Sequence, residues 1–256
     1  MYQSLSSKSN GGPLLIKSMY QPRTYRHWIK GDDLISFNVT VKETDLYIRA
    51  STNLKRKAHR LVMKYRDALE RYIERCPTFL TSLEPLPIDK DAPHIVRAML
   101  EAASKAGVGP MASVAGAIAE FVGTELLAFS PEVIVENGGD IFLKSLDKRI
   151  IGIYAGKSPL SGKIRLEIAG AETPSGICTS SRTVGHSLSY GKADAVIVLS
   201  KSTALADAAA TAIGNMVKQP IDIPSGLEVA KGIEGISGVI IIAGDHTGIW
   251  GKVKIC

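Results

Sequence analysis

Cysteine is scarce in this chain, and what there is does not cluster. Cys76, Cys178 and Cys256 are odd in number and widely spaced. That excludes a disulfide-built scaffold and a clustered zinc site, and it suits a reducing, cytoplasmic compartment. Long hydrophobic runs are missing too. No stretch approaches the roughly 20 apolar residues of a membrane helix, so no membrane segment is expected. Met1–Pro13 is rich in Ser, Gly and Asn and lacks the apolar centre of a signal peptide, so export is not expected either. Familiar catalytic signatures are absent as well: there is no P-loop, no G-x-S-x-G and no H-E-x-x-H. Gly232-x-x-Gly235-x-x-Gly238 leads into a strand rather than joining strand to helix, so it lacks the context of a dinucleotide fingerprint.

What remains is an ordinary globular composition. Of 256 residues, 45 % are hydrophobic and 22 % charged, enough to bury a substantial core and too apolar for a disordered chain. The net charge of +6 suggests a nucleic-acid partner until its source is found. Between Asn53 and Arg75, eight Lys or Arg face three Asp or Glu, which accounts for nearly all of the excess. In that segment Ala58, Leu61, Val62, Tyr65, Leu69, Tyr72 and Ile73 recur at helical spacing and form one apolar stripe. Lys57, Arg60, Lys64, Arg71 and Arg75 fall on the other side. A charged face opposite a core stripe is what a surface helix shows, so no nucleic-acid partner is expected.

Residues 1–24 read as a flexible tail and residues 25–256 as a single domain. Tyr25–Ile29 is a candidate strand, followed by a Gly31-Asp32-Asp33 turn. Phe37–Val41 and Asp45–Ala50 alternate as two strands of a hairpin. Asn53 is the expected N-cap of the basic helix, which ends before Pro77. Thr78–Pro93 is a proline-rich connector, a second helix starts near Ala92, and Met111–Leu127 is helical again with a face of small residues. Strands are expected at Val133–Val135, Ile141–Lys144, Ile150–Tyr154, Lys163–Ile168 and Ala195–Leu199, with a last one at Val239–Ala243. Residues 174–186 read as a hydroxyl-rich loop, and Gly226–Lys231 as a helical turn. Strands outnumber helices and pair as hairpins, which predicts an α+β fold of antiparallel sheets layered with helices.

Three places carry the chemistry. Asp207 and Thr211 are the only polar side chains of an alanine-rich helix between Ala204 and Ile213, one turn apart on one face. A carboxylate and a hydroxyl suit a hard cation such as Mg²⁺, but a buried, mutually satisfied pair is the commoner reason for such a spacing. Asn137-Gly138-Gly139-Asp140 interrupts a strand with two glycines and an acid, either as a site element or as a structural bulge. His186 stands in the loop that follows, as general base, hydrogen-bond donor or simply a satisfied loop histidine. The second Gly-Asp, at Gly244-Asp245, echoes Gly139-Asp140 and suggests an internal duplication.

Taken in order, Pro110–Glu120, Val135–Ile141 and Cys178–Asn215 resemble the ApbE-like superfamily, whose best-known members move FMN from FAD to a Thr or Ser of a target protein with Mg²⁺. The chain is most similar to a small UPF-type branch of it. The resemblance covers Phe37 to the C-terminus and implies an ApbE-like fold, with two pseudo-repeated, T-fold-like halves. Asp207-Ala-Ala-Ala-Thr211 matches the Asp-Ala-Leu-Ala-Thr motif that holds the metal. Asn137, Gly138, Gly139 and Asp140 match the Gly-Gly-Asp strand end that lines the flavin. Thr179, Ser180 and Ser181 match a Thr-Ser-Gly loop, and His186 the histidine after it. FAD and Mg²⁺ are therefore the implied cofactors, with an acceptor protein as implied partner. Small-residue helices are compatible with a homodimer. Two departures stand out: Ser187–Gly191 replaces an Asp-Pro-x-Thr-Gly stretch, and Ala115-Gly116 replaces Lys-Gly. Two other readings stay open. One is sulfide incorporation into homocysteine in anaerobes, with Cys178 beside Arg182 as a reactive thiolate. The other is a non-catalytic flavin-binding or partner-binding scaffold.

Overall fold

The computed structural model describes residues 33–181 and 191–256. The tail, the strand expected at Tyr25–Ile29, Arg182, His186 and Ser187–Tyr190 lie outside the described residues. An eight-stranded sheet organises the rest. Strands β1 (Ile35–Val41), β2 (Thr44–Ala50), β3 (Val133–Asn137), β4 (Asp140–Lys144), β7 (Ser175–Ser180), β8 (Ala195–Ser200), β9 (Ile236–Ala243) and β10 (His246–Gly251) follow one another across it, every neighbour antiparallel. A separate two-stranded sheet, β5 (Arg149–Gly152) and β6 (Arg165–Ile168), is inserted between β4 and β7 in the chain. Helices α1 (Lys55–Arg75), α2 (Thr78–Thr81), α3 (His94–Ala106) and α4 (Val114–Leu126) connect β2 to β3; α5 (Thr203–Met216) and α6 (Ile223–Gly232) connect β8 to β9. Each half of the sheet is thus two strands, a helical excursion and two more strands.

The period of two along each strand assigns its two faces to different cores. Val133, Val135, Phe142, Cys178, Val196 and Val198 join the helical layer in one apolar cluster. Ile134, Ile141, Ile177 and Ile197 face a second cluster, roofed by Ile151, Ile153, Leu166 and Ile168 of β5 and β6 and the residues flanking them. Strands buried on both faces read as continuous apolar runs, as β8 and β9 do.

The expected α+β architecture of antiparallel strands and helices is what the chain adopts. Several local expectations need correction. Residues 175–180 form not a loop but β7, a central strand: its small hydroxyl residues fit because α5 lies directly on it, and a Cβ on Gly176 would fall 2.4 Å from the Thr203 Cα. The chain does not end its sheet at Ala243. Gly244 and Asp245 turn into β10, whose two glycines and threonine hide the strand pattern. The glycines at 138 and 139 are no bulge. They form the two-residue turn of the β3–β4 hairpin, both with positive φ (68° and 110°), the conformation such turns demand. The cap of α1 falls on Leu54, one residue late; the Asn53 side chain still accepts the Lys55 N–H at 3.1 Å. Gly226–Lys231 belongs to the longer α6.

On α1, Ala58, Val62, Tyr65, Leu69 and Tyr72 are buried, as the apolar stripe predicts. Part of its charge is locally paired: Lys64 with Glu125, and Arg66 with Glu43 and Glu70. Among the described residues no single helix is long and apolar enough to cross a membrane.

Candidate functional site

One end of the large sheet gathers the β1–β2, β3–β4 and β9–β10 turns and the C-terminal end of β7. Four of the expected residues meet there on the helical face. Asp207, from the second turn of α5, sends its Oδ2 to the Gly116 N–H at 2.8 Å. Gly116 is the third residue of α4, whose own cap residue, Ser113, makes no side-chain cap bond. Asp207 therefore caps α4 from another helix, satisfying an amide that the helix leaves open. Glu120 of α4 returns the favour, its Oε2 accepting the Ala204 N–H of α5 at 3.0 Å and the Ser202 hydroxyl at 3.1 Å. This crossing needs Gly116: a Cβ there would sit 2.5 Å from the Thr203 carbonyl oxygen and 2.8 Å from the Asp207 Cβ. Asn137 closes the clamp by donating from Nδ2 to the Ala115 carbonyl at 3.0 Å.

Asp140 opens β4 beside this group, and its Oδ1 accepts the Thr179 N–H at 3.2 Å. It and Asp207 are only 7 % and 8 % exposed. Burial pushes the Asp140 carboxyl up to about 7, with the Glu136 charge adding to the push. Asp207 is raised well above the carboxylate range by burial first and by the Asp140 charge second. No Lys or Arg bonds to either acid among the described residues. Thr211, buried one turn beyond Asp207, has no side-chain hydrogen bond among the described residues, so the satisfied Asp–Thr pair is not what this face contains.

The remaining expected residues divide. Thr179 points to the opposite face, into the cleft described below. Ser181 donates from Oγ to the Asp194 carbonyl at 2.7 Å, tying the end of β7 to the entry of β8. Ser180 is half-buried at the end of β7. Gly138 and Gly139 form the rim between the two faces. Cys178 is fully buried and donates to the Thr203 carbonyl at 3.3 Å. Burial first, then the nearby Asp140 and Asp207 charges, raises its thiol, the opposite of what a reactive thiolate needs.

Across that rim, between the large sheet and β5–β6, lies a cleft with about 680 Å³ of empty space counted out to open solvent. Ile141, Ile177 and Ile197 form its floor, Ile151, Ile153 and Leu166 its roof, and Tyr47, Tyr154, Glu136 and Thr179 its polar fittings. The sequence reading missed this cleft entirely. One signal was available: Glu136 continues the strand directly after the apolar run Val133-Ile134-Val135, where a charge is not expected.

Residues 26–229 match the model of the family described as AbpE bacteria. The chain belongs to this family. Among the relatives of this AbpE-type chain, the UPF0280 protein MJ1526 of Methanocaldococcus jannaschii is 46 % identical over 221 residues, covering 84 % of this chain and 90 % of the relative. Two solved structures share the fold of the family. Pseudomonas stutzeri flavinyl transferase ApbE, in its apo form, aligns with a TM-score of 0.57 at 15 % identity, covering 87 % of this chain and 94 % of that one. Flavin transferase ApbE from Vibrio cholerae aligns with a TM-score of 0.51 at 16 % identity, over 87 % and 97 % of the two chains. At such identities the likeness is one of fold.

Proposed function

We propose that this chain binds FAD or a related nucleotide together with Mg²⁺ and uses the pair in flavin-linked chemistry, flavin transfer to an acceptor protein being the family precedent. One observation carries the reading. The Gly138-Gly139 turn separates an apolar cleft from a group of buried acids with no counter-cation among the described residues. A ligand with a flat ring at one end and phosphates at the other needs both environments within reach of one rim. The flavin transferases that share the fold support it by analogy.

The donor set fits a hard cation. Asp207, Thr211 and the neighbouring Asp140 offer oxygen only, and two acids held without a cation gain from one. Among the described residues no three His, Cys, Asp or Glu side chains group tightly enough to hold a metal unaided. Thr211 would be a further oxygen ligand beside the acids, with water or ligand oxygens supplying the rest, as is usual for Mg²⁺. Bound there, the ion would supply positive charge where a pyrophosphate gains negative charge. The chain's own residues orient and exclude. The Gly116 amide fixes Asp207, and Asn137 fixes the start of α4. Cys178 and Thr203 fill the floor beneath without a polar group turned to solvent. Ala115 contributes no cation, so among the described residues none faces a pyrophosphate here, and a metal held by Asp207 and Thr211 would supply that positive charge. His186, in the segment leaving β7, is proposed as the proton carrier, since its unperturbed pKa lies near 6.5.

Isothermal titration with FAD tests this. Binding at least about tenfold weaker in EDTA than in Mg²⁺ is expected. Equal binding in both would remove the cation, and no binding at millimolar FAD would end the reading.

A further inference from the structure

Two strands bound the large sheet, and an edge strand carries a row of unpaired backbone N–H and C=O groups on its outer side. At one edge, β1 follows closely on Tyr25–Ile29, which the sequence offers as a further strand of the same chain. At the other edge, β10 has no such neighbour. The residues after it turn away to β6, where the Lys254 carbonyl accepts the Glu167 N–H at 2.9 Å and Cys256 donates its N–H to the Arg165 carbonyl at 3.1 Å. Helix α6 packs on the face of β10, with Gly248 beneath Ile223 and Leu227, and no described segment bonds to the strand's outer edge. The strand also lacks the devices that usually keep an edge solitary. His246-Thr-Gly-Ile-Trp-Gly251 contains no Lys and no Pro, and its register against β9 runs without a bulge.

Alternation along the hairpin shows which groups are free. Ala243 pairs with His246 across the two-residue Gly244-Asp245 turn, so His246, Gly248 and Trp250 bond inward to β9, while Thr247 and Ile249 aim their amides and carbonyls outward. Ile249, in the middle of this edge, is an apolar side chain left 45 % exposed. Asp245, 79 % exposed, precedes the strand, and Lys252, also exposed, follows it. Such a strand is complementary to itself. Turned antiparallel about Ile249, two copies set Ile249 against Ile249 and Thr247 against Gly251, with the acidic start of each strand beside the basic end of the other. We infer that β10 pairs with β10 of a second copy of this chain, joining the two eight-stranded sheets edge to edge about a two-fold axis at Ile249. The backbone groups supply the attraction, the Ile249 pair an apolar centre, and Asp245 with Lys252 the antiparallel direction. Because β10 starts at the end of the sheet that carries the buried acids, this pairing points the two candidate sites to opposite ends and leaves both open. The contact stands independently of the nucleotide reading.

Sedimentation velocity over a concentration series of the full chain tests this. A reversible monomer–dimer equilibrium is expected, with a dissociation constant on the order of 10 µM, since a contact built on one short strand falls below the roughly 1,200 Å² of a standard interface. Ile249→Lys puts a charge on an exposed edge position, so it should keep the wild-type Tm and weaken the dimer at least about tenfold. Thr247→Pro removes an outward N–H and leaves the bonds to β9 in place, and it should weaken the dimer to a similar degree. Asp245→Lys and Lys252→Asp should each weaken it about threefold or more, and the double exchange should restore it. A chain that stays monomeric at submillimolar concentration would overturn the inference. So would a dimer indifferent to both edge changes, or one that a single charge exchange weakens and the double exchange fails to restore.

Discussion

Replacing Asp140 by Asn should make the ligand-free protein more stable, and increasingly so as the pH rises. Asp140 is an acid whose folded-state pKa is raised from 3.8 to about 7 by burial. The sign follows from linkage. Below about pH 4 both states hold the proton and the group costs nothing. Between about pH 4 and 7 the unfolded chain releases its proton while the folded one keeps it, so stability falls as pH rises, and above about 7 the full cost is in place. Three units correspond to at most about 4 kcal/mol. At pH 5 only about 1–2 kcal/mol of that has been lost. In Asp140→Asn the new side chain can still accept the Thr179 N–H through its amide oxygen and carries no charge to bury. In a domain of this size 1 kcal/mol moves Tm by roughly 2–4 °C, so a rise on the order of 5–15 °C is expected at pH 8 and a much smaller one at pH 5. Urea unfolding of both proteins at the two pH values measures the gap directly. A gap that stays constant with pH, or a variant less stable than wild type at pH 8, would refute the argument that these acids are held at a cost for a cation.

Gly116→Ala should destabilise by roughly 2–4 kcal/mol, because its methyl group would meet the Thr203 carbonyl and the Asp207 Cβ where α4 crosses α5; thermal unfolding reads this, and an unchanged Tm would mean that the crossing is not tight. At the rim, Gly138→Asn should fold normally, since Asn tolerates the positive φ and a Cβ there meets nothing, whereas Gly138→Val should lose on the order of 1–2 kcal/mol. Equal stability of the two would contradict the turn assignment. Arg149, 4 % exposed, bonds Asp33 and Glu132 together, so Arg149→Met should cost about 3 kcal/mol by leaving Glu132 buried without its partner. Its guanidinium holds the Asp33 carboxyl down at about 2. That part of the stability is present above about pH 4 and is lost as pH falls towards 2. The variant should lack this acid sensitivity, which denaturation at pH 5 and pH 2.5 would reveal.

How far the sequence can be read depends on the range of the interaction. Period alone located α1 and the β1–β2 hairpin, because each is amphipathic within one element. The ordered motifs pointed to the right family and fold. The placement of Asp207 and Thr211 on one buried helical face followed from a spacing of four. β7 was illegible because its residues are chosen to fit beneath α5 rather than to look like a strand, and β10 because Gly248 lies under Ile223 and Leu227 of α6. The meeting of Asp140 with Asp207 joins residues on β4 and α5, which nothing local announces. The cleft needs β5 and β6 folded back over a sheet face whose isoleucines look, in sequence, like ordinary core. Two adjacent glycines read equally well as bulge or turn until the pairing of Asn137 with Asp140 is known.

The most direct test of the central claim, a cation held by Asp207 and Thr211 on the helical side of the rim, is a titration of Mg²⁺ into FAD-saturated protein for wild type, Asp207→Asn, Thr211→Val and the double variant. Each single change should weaken Mg²⁺ affinity by about tenfold or more, and the double variant should fall short of the product of the two, because residues that share one ligand are not independent. Strictly multiplicative effects, or Mg²⁺ affinity untouched by either change, would place the cation elsewhere and contradict the account.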